Sequence, residues 1–233
     1  MKAEFDKFAK NYRTTHTAPL ALTGESSEFF TEYKAEKLAE WLPEFFKGTP
    51  TAILDFGCGD GLMTEKVQKQ FPQTKLYGCD PSPESIKVAQ KNHPDITFEV
   101  SEADVSCFED EQFDVIFAAG VFHHIPFSEH AGYIQDLYRI LTKNGVLILF
   151  ELNPFNPGTQ YIFKHTPMDA NATMLTPQYT RKLLQPYGNT KVKFYGFFPH
   201  FLRGLRCTEK FLTSIPLGGL YASFLKKLPH KKP

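Results

Sequence analysis

The stretch Ile53-Leu54-Asp55-Phe56-Gly57-Cys58-Gly59-Asp60-Gly61 decides the fold of this 233-residue chain. The apolar run Thr51–Phe56 predicts a buried strand, and a helical pattern begins at Leu62, directly after the third glycine. Glycines at alternate positions allow the backbone to turn sharply and to approach a ligand closely. The N-terminus of the following helix offers N–H groups without helical partners. In an open parallel sheet such a turn lies at the ligand crevice.

Strand-like and helix-like segments alternate after this turn, which predicts a parallel sheet with helices on both faces. Ser82 and Pro83 suit the N-cap and the first turn of one helix. Prolines in residues 153–176 predict a long loop with a helical turn or two, and such loops are often lids. The predicted strands are Thr51–Phe56, Lys75–Cys79, Ile96–Val100, Phe113–Ala118, Gly145–Glu151, Lys191–Phe197 and Tyr221–Lys227. The predicted helices are Glu4–Tyr12, Ser26–Phe46, Leu62–Phe71, Pro83–Asn92, Ser128–Leu141, Pro177–Gln185 and residues 200–214.

Composition narrows the class of function. Lys plus Arg and Asp plus Glu both total 26, so the chain lacks the positive field of a nucleic-acid binder. The N-terminus has no signal-peptide pattern, and no segment reaches the roughly 20 apolar residues of a transmembrane helix. The four cysteines form no CxxC pair. We therefore expect a cytoplasmic protein with free thiols and no nucleic-acid partner.

The spacing of the glycines discriminates between ligands. Leu62 stands where the nicotinamide fingerprint has its third glycine, and the Gly-Lys-Ser/Thr of a P-loop is absent. Asp55 disfavours phosphate but suits an ammonium group, and Asp80, 19 residues after Gly61, can accept both ribose hydroxyls. Taken alone, the glycine loop could be a turn that binds no ligand. Taken alone, Asp80 could be a helix cap. Together they favour S-adenosylmethionine, which carries an amino-acid head, a sulfonium and a ribose but no phosphate.

The region Thr51–Glu151 resembles the class I S-adenosylmethionine-dependent methyltransferases, in the broad group that includes ubiquinone/menaquinone-type enzymes. The motifs that carry the resemblance are the glycine loop, Asp80-Pro81-Ser82, FEVSEADVSCF at 98–108, FDVIFAAGVFHHI at 113–125 and LTKNGVL at 141–147. By this resemblance the cofactor-binding residues are Asp55, Gly57, Gly59, Gly61, Asp80, Pro81, Glu102, Ala103, Ala119 and Gly120. The implied cofactor is S-adenosyl-L-methionine, and the implied product is S-adenosyl-L-homocysteine.

The resemblance also implies an architecture. We expect an α/β, Rossmann-like, doubly wound fold with a seven-stranded, mostly parallel sheet whose last strand is antiparallel. Helices cover both faces, and residues 1–47 form an N-terminal helical cap over a methyltransferase domain at 48–233 with a lid-like insertion at 152–175. Two departures stand out: Lys143 and Asn144 replace the usual Pro and Gly, and Leu152 replaces the His of an E-H-N-P-x-N-P stretch. Asn tolerates a left-handed turn, so the first departure leaves the fold intact.

Methyl transfer from a sulfonium is an in-line displacement, so the protein mainly positions and shields the reactants. A general base is needed only when the acceptor must lose a proton early. The candidate catalytic residues are His124, Glu151 and Tyr12, whereas His123 is assigned to the loop after the fourth strand. Structural roles for both histidines and a capping role for Glu151 stay open. No metal is expected, because no third ligand lies near the two histidines in the sequence.

These observations predict methyl transfer to a small-molecule acceptor, apolar or aromatic, at carbon or oxygen rather than nitrogen. The aromatic stretch Phe194–Phe201 indicates a buried strand and turn or, alternatively, a wall of the acceptor pocket. With the basic tail at 226–233, it could also touch a membrane that holds a lipid-like substrate, which we take as the lesser alternative. The alternatives from other classes are a non-catalytic or regulatory S-adenosylmethionine-binding protein and a protein or nucleic-acid methyltransferase. The sequence leaves the oligomeric state open.

Overall fold

A computed structural model describes Leu20, residues 23–101, Val105 and residues 107–228. Within these residues seven strands form one sheet in the order β3-β2-β1-β4-β5-β7-β6. The last strand, β7, runs antiparallel to both β5 and β6, and the other neighbouring strands are parallel, as predicted. The strands are β1 (Ala52–Phe56), β2 (Lys75–Asp80), β3 (Thr97–Val100), β4 (Phe113–Ala119), β5 (Leu141–Leu152), β6 (Gly188–Tyr195) and β7 (Leu220–Lys227).

Helices cover both faces of the sheet. Side chains alternate across β4, so that Val115 and Phe117 join one buried apolar cluster and Ile116 and Ala118 join the other. The first cluster is covered by α1, α2 and α3, and the second by α4 and α6. This arrangement confirms the doubly wound prediction. The α-helices are α1 (Ser27–Trp41), α2 (Leu62–Gln70), α3 (Pro83–Asn92), α4 (His130–Ile140), α5 (Pro157–His165) and α6 (Pro177–Leu184).

Helix α1 belongs to the main core. Its side chains Leu38 and Trp41 are almost fully buried in the cluster that also contains Ile53 of β1 and Phe224 of β7. The described part of the predicted N-terminal cap therefore packs directly on the sheet. The predicted helix Glu4–Tyr12, the catalytic candidate Tyr12, the cofactor candidates Glu102 and Ala103, and residues 229–233 lie outside the described residues.

Several predicted boundaries were wrong, and so was the type of one predicted helix. Strand β5 begins at Leu141, directly after α4 ends at Ile140, four residues earlier than predicted. Strand β6 ends at Tyr195 because Gly196 adopts a φ of 71°. Residues 200–211, predicted as helical, form a 3-10 segment with a kink at Leu202.

The predicted loop at 153–176 contains the helix α5. Asn156 is its N-cap and accepts a hydrogen bond from the Thr159 N–H at 3.0 Å, while Pro157 occupies the first helical position. This is the same pairing that identified Ser82-Pro83 as the start of α3, where the Ser82 hydroxyl accepts from the Ser85 N–H. The sequence thus carried the signal for α5. Among the described residues, every helix is too short or too polar to cross a bilayer.

Candidate active site

The glycine loop between β1 and α2 uses its three glycines for different purposes. Gly57, Gly59 and Gly61 all have positive φ angles, of 79°, 53° and 80°. A Cβ atom at Gly57 would lie 2.5 Å from Val121, and one at Gly61 would lie 2.8 Å from Phe98, so both glycines are required by packing. A Cβ at Gly59 would meet nothing within 4 Å. The middle glycine therefore presents its backbone to open space that a ligand can enter.

Asp80 holds this loop from the neighbouring strand. It ends β2, and its Oδ2 accepts the Gly59 N–H at 3.0 Å while its Oδ1 accepts the Ser82 N–H at 2.9 Å. The carboxylate also lines the crevice beside the loop. An ionised carboxylate has about four acceptor positions, so it can accept hydroxyl groups in addition to these two N–H donors. The accessible backbone at Gly59 lies next to the carboxylate of Asp80, which only accepts hydrogen bonds. This combination fits the ribose and amino-acid parts of S-adenosylmethionine.

The crevice collects most of the predicted cofactor residues. Asp55 lies beneath the loop instead of in the crevice, where its Oδ2 accepts the Thr64 hydroxyl at 2.7 Å. Burial raises the pKa of Asp55 to about 7, although the hydrogen bond from Thr64 acts to lower it. Asp55 thus ties α2 to β1, and Gly61 packs against Phe98. The predicted residues that line the crevice are Gly57, Gly59, Asp80, Pro81, Ala119 and Gly120.

Sequence reasoning missed part of the crevice wall. Ser85 lies in the first turn of α3, directly after the Asp80 motif, so its position could have been inferred. The others come from the ends of β1 and β2, from the segments after β3 and β4, and from α4. Most of them lie within or next to the quoted motifs, whereas Tyr133 of α4 lies outside them. Ser82, the last residue of the Asp80-Pro81-Ser82 motif, is buried as the N-cap of α3. The additional lining residues are Phe56, Cys79, Ser85, Ser101, Val121, Ile125 and Tyr133.

A second cavity, of about 400 Å³, adjoins the crevice and shares Ala119, Gly120 and His124 with it. The expected position for an acceptor is beside the cofactor at such a shared wall. Lys34 of α1 adds an amine, whose pKa is lowered by burial against the opposing charges of Glu151 and Asp55. The predicted lid at 152–175 contributes Leu152, Asn156, Gly158, Thr159, Ile162, Thr166 and Asp169. The aromatic lining residues are Phe29, Phe30, Tyr33, Phe197 and Phe198, beside His123 and His124.

Three ionisable side chains that line this cavity, His123, His124 and Asp169, lie close together, and a fourth, Glu151, is buried behind His123. Glu151 is buried; its Oε1 accepts the Phe122 N–H at 3.1 Å, and its Oε2 lies 2.6 Å from His123 Nδ1. The Asp169 Oδ1 lies 3.7 Å from His123 Nε2 and 3.6 Å from His124 Nε2. Glu151 therefore fixes His123 from behind, and Asp169 faces both imidazoles from the lid.

The electrostatics of His123 follow from this geometry. Burial lowers the pKa of its imidazole, but the charge of Glu151 and the nearby Asp169 outweigh burial and raise the pKa to about 9. His123 thus carries a proton at neutral pH between two carboxylates. The sequence-based argument against a metal, that no third ligand lies nearby, was wrong, because Asp169 lies close to both histidines. The absence of a metal itself stays a prediction.

Part of the chain is similar in sequence to known methyltransferases. Residues 53–145 match the family model described as a methyltransferase domain. The malonyl-[acyl-carrier protein] O-methyltransferase of Halalkalibacterium halodurans is 33% identical over 49% of this chain and 43% of its own. The demethylmenaquinone methyltransferase of Thermotoga maritima is 27% identical over 63% of this chain and 55% of its own. The chain therefore spans about half the length of these relatives.

The solved structure of the plantazolicin methyltransferase BpumL, in complex with SAH, shares the fold. Its TM-score is 0.60 at 21% identity, and the match covers 96% of this chain and 99% of that chain. The strand order, the glycine loop and Asp80 at the end of β2 agree with the family match. The match at residues 53–145 therefore identifies a methyltransferase domain within the chain, and its fold is shared with S-adenosylmethionine-dependent methyltransferases.

Proposed function

We propose that the protein transfers a methyl group from S-adenosylmethionine to a small-molecule acceptor held in the 400 Å³ cavity. The observation that carries this proposal is the shared wall of Ala119, Gly120 and His124 between the cofactor crevice and the cavity. The named relatives act on malonyl-[acyl-carrier protein] and demethylmenaquinone, so the fold accommodates acceptors of different chemistry. The aromatic walls favour an acceptor with an apolar or aromatic part.

The bound cofactor supplies the methyl group and the sulfonium leaving group. The glycine loop would approach the cofactor through the backbone at Gly59, and Asp80 would accept hydrogen bonds from its ribose. We propose that His124, at the shared wall, takes the proton that the acceptor loses and that Asp169 stabilises the resulting imidazolium. Glu151 acts as a positioning residue, because its two oxygens already hold His123 and the backbone of Phe122. A catalytic role for Tyr12, outside the described residues, stays a prediction.

The cofactor part is tested by calorimetry with S-adenosylhomocysteine and S-adenosylmethionine. We expect both to bind the wild type, and we expect Asp80→Ala to weaken binding at least about tenfold, since a lost charged hydrogen bond costs roughly 1.5–3 kcal/mol. Asp95→Ala removes the same charge from an exposed position outside the crevice and should leave the affinity unchanged. Unaltered affinity in Asp80→Ala, with wild-type melting behaviour, would contradict the assigned site.

A labelled-methyl transfer assay in a cell extract distinguishes the proposed function from two others. A non-catalytic or regulatory protein would bind the cofactor but transfer no labelled methyl group to any component of a cell extract. A protein or nucleic-acid methyltransferase would label the macromolecular fraction instead of the small-molecule fraction. We expect label in the small-molecule fraction, because the proposed acceptor cavity is lined by α1, α5 and the aromatic turn after β6.

A further inference from the structure

The outer side of the segment after β6 exposes an unusual amount of apolar surface. Phe201 and Phe211 are 79% and 76% exposed, and Leu217 is 65% exposed. Two more exposed aromatic residues, Phe155 and Tyr161, lie at the start of α5 and within it. Concentrated exposed apolar side chains commonly mark an interaction site. We call this the outer apolar surface; its members are Phe155, Tyr161, Phe201, Leu202, Leu205, Phe211, Ile215 and Leu217.

This surface rests on well-anchored backbone. The buried Glu209 accepts the Phe197 N–H at 2.8 Å and the hydroxyl of Tyr33 on α1. Arg206 donates to the Glu25 carboxylate at 2.6 Å and lies 4.5 Å above the ring of Phe29. The polar side chains of the 3-10 segment are thus used to fix it to α1. Its large apolar side chains are left facing outward.

The outer apolar surface borders the acceptor cavity. Helix α5 is joined to the segment before β7, because the Asn156 side chain donates to the Leu217 carbonyl at 2.9 Å and the Thr159 hydroxyl donates to the Gly219 carbonyl at 2.9 Å. The same two segments line the cavity through residues such as Ile162 and Arg206. Each segment therefore has one side in the cavity and another in the outer apolar surface.

The exposed charges of the segment between β6 and β7 have one sign. Between residues 197 and 219 the acidic residue is Glu209, which is buried, and Arg206 is paired with Glu25. The exposed charged side chains of this stretch are Arg203 and Lys210, both positive. Exposed apolar groups next to basic side chains suit the boundary of an anionic bilayer. In a symmetric contact with a second copy, the same basic residues would approach one another, which disfavours self-association.

We propose that the outer apolar surface docks the protein on an anionic lipid bilayer, so that an amphiphilic acceptor enters the cavity from the membrane surface. The substrate class rests on the proposed methyl transfer, whereas the docking does not. The aromatic stretch Phe194–Phe201 divides between the two sequence-based alternatives, a buried strand and a cavity wall, and also reaches the outer apolar surface. Phe194 and Tyr195 are buried, Phe197 and Phe198 line the cavity, and Phe201 is exposed.

Docking is tested by co-sedimentation with vesicles of phosphatidylcholine alone and of equal parts phosphatidylcholine and phosphatidylglycerol. The wild type should bind the mixed vesicles, bind neutral vesicles weakly, and dissociate as salt is added. Phe201→Ser combined with Phe211→Ser should lower the vesicle–water partition coefficient at least about tenfold. The reason is that two apolar side chains are no longer transferred from water into the bilayer. Phe127→Ser is the matched control, since Phe127 is 48% exposed but lies outside this surface.

A second pair of variants separates charge from apolar contact. Arg203→Gln combined with Lys210→Gln should weaken binding to the mixed vesicles and leave the weak binding to neutral vesicles unchanged. Wild-type protein that binds neither vesicle overturns the proposal, as does an equal loss in Phe127→Ser. A dimer on gel filtration that the double Phe variant abolishes would assign the surface to a second copy instead. Affinity for S-adenosylhomocysteine should stay within about twofold in all variants, so a failed docking test leaves the proposed methyl transfer standing.

Discussion

At the scale of single residues, His124 combines two positions that few side chains share. It lines both the crevice proposed for the cofactor and the cavity proposed for the acceptor, and its Nε2 lies 3.6 Å from the Asp169 carboxylate. Glu151, which the sequence grouped with it, is buried behind His123. The sequence identified the two histidines but not which of them lines both the crevice and the cavity. Neighbouring side chains on a turn point in different directions, and tertiary contacts decide which direction each one takes.

The role of His124 predicts a specific kinetic defect. His124→Gln should lower the rate of methyl transfer to the small-molecule fraction by a factor of about 10² to 10⁴, the usual contribution of a general base. Its affinity for S-adenosylhomocysteine should change far less than the rate, because glutamine keeps a polar side chain at the crevice wall and leaves the glycine loop and Asp80 unaltered. The measurement is a labelled-methyl transfer assay, with the exposed His165→Gln as the control.

A rate within about threefold of the wild type in His124→Gln would exclude a base at this position. Loss of wild-type activity in a chelator would also speak against it, since a metal-assisted reaction needs no protein base of this kind. A parallel loss in His165→Gln would indicate a general effect of removing a histidine from this side of the molecule.

At the scale of elements, the local sequence pattern was enough to predict the strands, the glycine loop and the capped helices. Ser82-Pro83 starts α3 as predicted, since capping is decided within a few residues. The end of β6 at Tyr195 and the 3-10 form of residues 200–211 did not follow. That segment is held by Glu209 contacts to Tyr33 and Phe197, and a contact between residues 176 positions apart leaves no periodic trace in the sequence.

The irregular stretch near the start of β5, where the pairing with β4 shifts register, offers a quantitative test of backbone preference. Asn144, exposed, has a φ of 69°, as expected for a residue that replaces the usual glycine. Asn144→Ala should lower the free energy of unfolding by about 1 kcal/mol, because a Cβ without a local hydrogen-bonding side chain disfavours this conformation. Asn144→Gly should leave it equal or slightly higher. Urea denaturation measures both.

The control for this pair is Asn189 in β6, which is exposed and has no positive φ. There the order should reverse, with Asn189→Gly less stable than Asn189→Ala, because glycine loses more conformational freedom in a strand. The same order of Ala and Gly at both positions would contradict the left-handed assignment of Asn144.

At the scale of the whole molecule, His123 links three parts of the fold. It follows β4, its Nδ1 contacts Glu151 of β5, and its carbonyl accepts the Thr173 N–H from the lid at 2.9 Å. Asp169 of the lid and His124 are the other ionisable groups that face it. The charge of one imidazole thus helps to hold the lid segment on the sheet.

The raised pKa of His123 predicts how stability depends on pH. Its folded pKa of about 9 lies above the ordinary value of 6.5, so the stabilisation is complete below pH 6.5 and is lost as pH rises through 9. Between pH 7 and 9.5 the free energy of unfolding should fall by about 2–3 kcal/mol. Asp55, with a raised pKa of about 7, contributes its own loss mainly below this window.

Urea denaturation across this pH range measures the effect. His123→Gln should flatten the profile between pH 7 and 9.5, and the exposed His165→Gln should keep it. A wild-type profile that rises with pH in this window would show that His123 is neutral in the folded protein.

The sequence by itself determined the half of the site that we propose holds the cofactor. The glycine loop and Asp80 lie at the ends of neighbouring parallel strands, β1 and β2, so pairing brings them together whatever the rest of the chain does. The acceptor half was decided by the tertiary structure. Asp169 reaches His123 and His124 across 45 residues or more, and the cavity walls come from α1, α5 and the turn after β6. Such contacts arise from how helices and loops pack over the sheet edge, and local hydrophobic periodicity does not encode that packing.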